Sequence, residues 1–105
     1  MAAQDGLSFR FRATIIEWRG PAPFFFAPLP QADAARVRAV AKRVSYGWGV
    51  IPVQVTIGEV TFTTSLFPRD DTYLLPLKDK VRRPLAITAG DEIDVQMTVG
   101  AAKAP

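Results

Sequence analysis

The stretch from Tyr73 to Met97 (Tyr-Leu-Leu-Pro-Leu-Lys-Asp-Lys-Val-Arg-Arg-Pro-Leu-Ala-Ile-Thr-Ala-Gly-Asp-Glu-Ile-Asp-Val-Gln-Met) constrains the fold more than any other part of the chain. It runs strand, proline, one short basic helical turn, Gly-Asp turn, strand. Pro84 restricts Arg83 and removes a backbone donor, so the helical turn that starts at Lys78 cannot extend far. Thr88-Ala-Gly-Asp91 then turns the chain into a strand with Ile93, Val95, Met97 and Val99 inward and Asp94, Gln96 and Thr98 outward. Short strands joined by tight turns specify a small barrel, a scaffold used more often for binding than for chemistry.

The rest of the chain supplies partners for that unit. From Leu7 to Ile15 the odd positions Leu7, Phe9, Phe11, Ala13 and Ile15 are apolar, and Ser8, Arg10, Arg12 and Thr14 alternate with them, the pattern of a half-buried strand. Trp18-Arg-Gly-Pro-Ala-Pro23 reads as a turn. Phe24-Phe-Phe-Ala27 reads as a second, more fully buried strand, ended by Pro28 and Pro30. Between Ala32 and Val44 the period becomes helical through Val37, Val40, Ala41 and Val44, with Asp33 in the first turn, where an acid suits the helix dipole. Gly47-Trp48-Gly49 breaks that helix.

A hairpin follows. Val53, Val55 and Ile57 alternate with Gln54 and Thr56 as far as Gly58-Glu59, and a two-residue loop beginning with Gly suits a type II′ turn. Pairing Ile57 with Val60 sets Val55 opposite Phe62, Val53 opposite Thr64 and Ile51 opposite Leu66. The other face then carries Thr56 with Thr61, Gln54 with Thr63, and Pro52 with Ser65. A slip of one residue would bury that polar row, so the register is firm. Phe67-Pro-Arg-Asp-Asp71 is expected as a loop before a strand through Tyr73, Leu75 and Leu77. Two segments share one plan: Phe26–Pro30, helix, Gly turn, Ile51–Ile57; and Tyr73–Leu77, helical turn, Gly turn, Ile93–Val99. The expected architecture is a single mainly-β domain over 1–105, a small closed barrel of six strands with one α-helix and a short helical turn, pseudo-twofold, with flexible termini at about 1–6 and 100–105.

Composition narrows the function. With neither Cys nor His, the chain has no disulfide framework and cannot build a Ser-His-Asp triad, a Cys-His pair or the usual zinc site. Catalysis would rest on carboxylates, Lys, Tyr or a Ser-Lys arrangement, so a non-enzyme is expected, with no cofactor and no metal. The first residues lack the charged start and apolar run of a signal peptide, and no apolar run approaches the ~18 residues of a membrane helix, so a soluble cytoplasmic protein without a membrane partner is expected. Net charge +3 and pI near 9.7 favour acidic partners.

The polar constellations each have two readings. Lys78 and Arg82, four apart beside Lys80 and Arg83, could clamp a phosphate or carboxylate, with Arg supplying a bidentate fork; the plainer reading pairs Arg82 or Arg83 with Asp79 on the surface. Trp48 at the base of the hairpin, with Ser65, Thr63 and Gln54 on one strand face, could line a small pocket or merely cap the barrel. Arg36, Arg38, Lys42 and Arg43 crowd the outer face of the helix, a solvated surface or an anion-facing patch. The acids Asp70-Asp71 and Asp91-Glu92-Asp94 read as turn chemistry in preference to acid–base or cation sites.

Gly47-Trp-Gly-Val-Ile-Pro-Val-Gln-Val-Thr-Ile-Gly58, Thr64-Ser-Leu-Phe-Pro68, Tyr73-Leu-Leu-Pro-Leu-Lys78, Val81-Arg82 and Gly90-Asp91 together resemble the bacterial domain-of-unknown-function 1905 family, from about Phe9 to Met97. The resemblance implies a closed barrel of the double-split type, found alone or joined to a bacteriocin-protection-like region. The chain departs from the family where Arg69-Asp-Asp-Thr72 fills a loop that often carries Gly before the Tyr strand. Leu75-Pro76, Val81-Arg82, Leu85, Ile87, Gly90-Asp91 and Ile93 are also similar in order to AbrB/MazE-type DNA-binding domains, from which Pro84 departs by shortening the helix. The expected function is a non-catalytic binding or interaction module for an anionic small ligand or an acidic protein surface, through Trp48, Ser65, Lys78 and Arg82. The alternative is an AbrB-like nucleic-acid binder using Arg36, Arg38, Lys42, Arg43, Lys80 and Arg83; an enzyme using Lys, Tyr or carboxylates comes third.

Overall fold

The computed structural model describes residues 7–18, 24–44 and 51–100, with side chains for 8–18, 24–40 and 51–100. Seven strands and two helices follow in the order β1 Leu7–Thr14, β2 Ile16–Trp18, β3 Phe24–Pro28, α1 Gln31–Val44, β4 Ile51–Ile57, β5 Val60–Arg69, β6 Thr72–Pro76, α2 Asp79–Leu85 and β7 Glu92–Val99. They form one sheet in the order β1-β7-β4-β5-β6-β3-β2, with every paired neighbour antiparallel.

The expected closed six-stranded barrel is an open half-barrel of seven strands. The expected first strand bends at Ile15, where its carbonyl accepts from Gly90 N–H at 2.8 Å and its own N–H donates to Asp91 O at 2.8 Å. The bend divides it into β1, paired with β7, and β2, paired with β3. The two ends of the sheet are therefore consecutive pieces of one strand run, linked by the chain and by no hydrogen-bonded ladder.

The β4–β5 hairpin has the register that alternation dictates, from Ile57 opposite Val60 to Ile51 opposite Leu66. Gly58 takes φ 59° while Glu59 stays out of the positive-φ region, the type II′ pattern, and Thr56 and Thr61 join hydroxyls across the strands at 2.9 Å. Pro52 is tolerated within the sheet because the β4–β7 ladder ends beside it: its carbonyl still accepts from Gly100 at 3.0 Å, but no strand there asks for its missing N–H. That bond also ties Gly100 down, where a flexible terminus was expected.

Two other expectations change. Phe67-Pro68-Arg69 belongs to β5 and not to a loop, so the turn is only Asp70-Asp71. β3 is a strand, but Phe24 is exposed and Phe25 and Phe26 are only half-buried, so it is not the most buried one.

The two-part plan is realised in the strand pairing. β3-α1-β4 and β6-α2-β7 are equivalent units, and each strand pairs with its own counterpart, β3 with β6 around Ala27–Leu75 and β4 with β7 around Val55–Met97. Leu29 N–H donates to Tyr73 O at 3.0 Å and Leu77 N–H donates to Phe25 O at 2.9 Å. One displacement along the sequence carries Leu29 to Leu77 and Phe25 to Tyr73, so these bonds are the same bond seen from both halves. Ala27, Val53, Val55, Leu66, Leu75 and Val95 form the fully enclosed centre of the core, with Val37 of α1 and Val81 of α2 packed onto it.

Candidate functional site

α2 is built by its two ends. Lys78 is extended at φ −79° and ψ 162°, and its carbonyl accepts from both Val81 and Arg82 N–H at 2.9 Å. At the other end Ala86 turns left-handed at φ 56° and ψ 42°; its N–H donates to Arg83 O and that of Ile87 to Arg82 O, each at 3.2 Å. This is a Schellman arrangement with Ala where Gly is usual. Val81 and Ile87 are buried, and between them these anchors fix which way the charged side chains point.

Arg82 points inward. Its guanidinium carbon lies 3.7 Å from the centroid of the Phe25 ring, one terminal nitrogen donates to Asp79 Oδ1 at 2.7 Å, and the other reaches Ile87 O at 3.3 Å. Its Nε is enclosed without a hydrogen-bond partner. Arg82 is thus a strut between α2, β3 and the following turn, paired with Asp79 as in the plainer of its two readings. Lys78, Lys80 and Arg83 are exposed around it, and their side chains make no hydrogen bond or ion pair among the described residues. Four cations against one carboxylate leave this short segment strongly positive.

The remaining residues singled out by sequence lie elsewhere. Ser65 is half-buried on β5 opposite Pro52, on the outer face of the sheet with Thr63 and Gln54, whereas Val81 of α2 faces the core. Trp48 and the side chains of Lys42 and Arg43 fall outside the described residues. Arg36 is laid over the Phe9 ring at 4.3 Å; Arg38 donates to Asp71 O at 2.7 Å and lies 6.0 Å from the Tyr73 ring. The antiparallel β3–β6 pair starts α1 and α2 at opposite ends, so Arg36 and Arg38 lie on one helix and Lys80 and Arg83 on another that begins at the far end of that pair.

The acids are occupied by structure. Asp91 accepts from Thr88 N–H at 2.9 Å and closes the turn before β7; Asp94 holds Arg12 at 3.2 Å across β1–β7. Asp71 accepts from Gln31 at 3.2 Å, which with Arg38 straps α1 to the β5–β6 turn. No group of three His, Cys, Asp or Glu suited to a metal occurs among the described residues, and no described helix is long and apolar enough to cross a membrane.

Sequence reasoning missed one surface. Ile16 and Trp18 of β2, Phe24 and Phe26 of β3, Leu74 of β6 and Phe67 of β5 share the outer face of their half of the sheet. The signal lay in the alternation from Leu7: continued past Ile15, it turns Ile16 and Trp18 outward.

None of the curated proteins compared with the chain matches it, and nothing in the comparisons carries the AbrB/MazE-type likeness. The model of one family, described as a domain of unknown function, DUF1905, matches residues 11–97, nearly the whole of the described sheet, and the chain belongs to that family.

Proposed function

We propose that the domain is a non-catalytic binding module for an anionic partner, a small anionic ligand or an acidic protein surface, which it takes at the α2 flank. The observation that supports this reading is the surplus of unpaired cations there, Lys78, Lys80 and Arg83, around an Arg82 already neutralised by Asp79. The doubly anchored helix fixes where these exposed cations are attached, and their charge stays available to a carboxylate or phosphate. Arg82 serves as the buttress that holds the flank, and Lys78 is the member of the expected pair that faces the ligand. Ser65 lies on the outer sheet face and is not needed for this contact.

Titration calorimetry with inorganic phosphate and with a polyglutamate peptide tests the reading. Replacing Lys78, Lys80 and Arg83 together by Ala is expected to weaken binding of at least one probe by about tenfold or more, because each lost close charge pair counts, while the melting temperature holds. Equal binding by the triple variant would overturn the reading. Affinity for a DNA duplex that falls steeply with salt, exceeding affinity for both probes, would replace it with nucleic-acid binding.

A further inference from the structure

We propose that the outer face of the β2-β3-β6-β5 half of the sheet docks a short apolar segment of a partner protein that presents a carboxylate to Arg69. The rest of the sheet shows how unusual this face is. Outside β1, β7, β4 and the first part of β5 stand Ser8, Arg10, Arg12, Gln96, Gln54 and Thr63, a polar surface. On the other half Trp18 is 47% exposed, Phe24 57%, Phe67 43% and Ile16 40%. Half-exposed side chains of this size leave roughly 300–400 Å² of contiguous apolar surface, the scale at which a patch on a single chain is commonly functional.

Arg69 gives the face its chemistry. Trp18 and Arg69 stand on strands three steps apart, about 14 Å across the sheet, and the registers set them six residues, roughly 20 Å, apart along the strands. Their side chains nevertheless meet, with the guanidinium 4.0 Å from the indole centroid. They lean toward each other across the face, and Leu74 beneath is buried although it lies outside the core cluster. The guanidinium lies over the indole, and among the described residues it makes no hydrogen bond and one loose ion pair, 3.9 Å to exposed Asp70. A planar fork placed over an aromatic ring, with no hydrogen bond and only a loose ion pair to exposed Asp70, matches a carboxylate. Trp and Arg side by side are also the residue types that dominate binding energy at protein interfaces.

A second copy of the chain fits less well. The face itself carries no carboxylate, so an isologous pairing would leave Arg69 unanswered by the surface it meets. Each copy also brings a net charge of +3, and the apolar area falls somewhat short of the roughly 450 Å² of apolar surface that each partner of a standard interface buries. A short segment needs less area. This surface meets the α2 flank at the corner where Lys78 follows Pro76 beside Phe24, but its Arg69 stands on β5, so the proposal holds whether or not that flank binds an anion.

The test is selection of a random peptide library displayed on phage against the intact chain, with sedimentation velocity on the same protein. Enriched peptides are expected to combine aliphatic or aromatic residues with Asp or Glu. Synthetic copies are expected to bind at least about tenfold more weakly to Phe24→Ser and to Arg69→Glu, both with unchanged circular dichroism, and equally well to Lys80→Ala with Arg83→Ala. The chain itself is expected to sediment as a monomer. No enriched sequence, peptides indifferent to Phe24→Ser, or peptides without an acid that are indifferent to Arg69→Glu would each overturn the proposal. A dimer that Phe24→Ser dissociates would overturn it in favour of a second copy.

Discussion

Ala86 and Asp70 are the only described residues other than glycine with positive φ, at 56° and 54°. For an L-residue that region costs roughly 1–2 kcal/mol, which glycine avoids. Ala86 closes α2, and its side chain offers nothing in return. Ala86→Gly is expected to stabilise the chain by about 1 kcal/mol, raising the melting temperature by roughly 4–8 °C for a domain of this size; an unchanged or lower value in thermal denaturation would contradict the cap assignment. Asp70 stands in the turn between β5 and β6, and Asp tolerates left-handed backbone better than most residues. The same scale separates the two cations that sequence had joined. Arg82→Ala removes a ring stack, an ion pair and a bond to Ile87 O and is expected to cost roughly 1–3 kcal/mol in urea denaturation, whereas Lys78→Ala is expected to stay within about 0.5 kcal/mol. Equal effects would show that Arg82 is no strut.

Among the elements, the β4–β5 hairpin was legible because two independent signals agreed, strict alternation on both strands and Gly at the first turn position. Gly58 carries a further constraint that no sequence signal shows: a Cβ there would lie 3.1 Å from Leu85 Cδ2. Gly58→Ala therefore meets both positive φ and a neighbour, and is expected to lose roughly 1–2 kcal/mol, read as a lower denaturation midpoint with unchanged slope. Retained stability would mean that the turn can change type. β2 and the end of β5 were illegible for the opposite reason, because proline and glycine nearby imitate loops. Pro68 is compatible with a strand because Tyr73, opposite it, spends its carbonyl on Leu29 of the far neighbour. Pro68 accordingly points its nitrogen away from β6, past the described end of the β4–β5 ladder at Ile51–Leu66. Phe24-Phe-Phe suggested burial by hydrophobicity alone, yet alternation places Phe24 and Phe26 outward, and those two rings build the aromatic face.

At the scale of the molecule, the halves were legible from order and not from identity. Strand, proline, helix, turn and strand recur, and the structure turns that recurrence into β3–β6 and β4–β7 pairs around a common pseudo-twofold axis. Closure was not legible, since nothing near Ile15 marks the bend that divides the first strand and opens the ring into a half-barrel. The candidate site was partly legible: the cationic run is visible at once, but which cation faces inward depends on Phe25, distant in sequence and adjacent in space. The surface does not follow the two-part plan: cations without an ion pair lie exposed at α2, and exposed aromatics stand on β2, β3 and β5. The proposed anion-binding flank rests on that uneven distribution of charge. The most direct test follows the backbone amide resonances while a polyglutamate peptide is titrated in. Saturable shifts concentrated on Lys78 to Ala86 are expected, and they should vanish when Lys78, Lys80 and Arg83 are replaced by Ala; shifts spread evenly over the positive surface, or none at all, would contradict an anion-binding α2 flank.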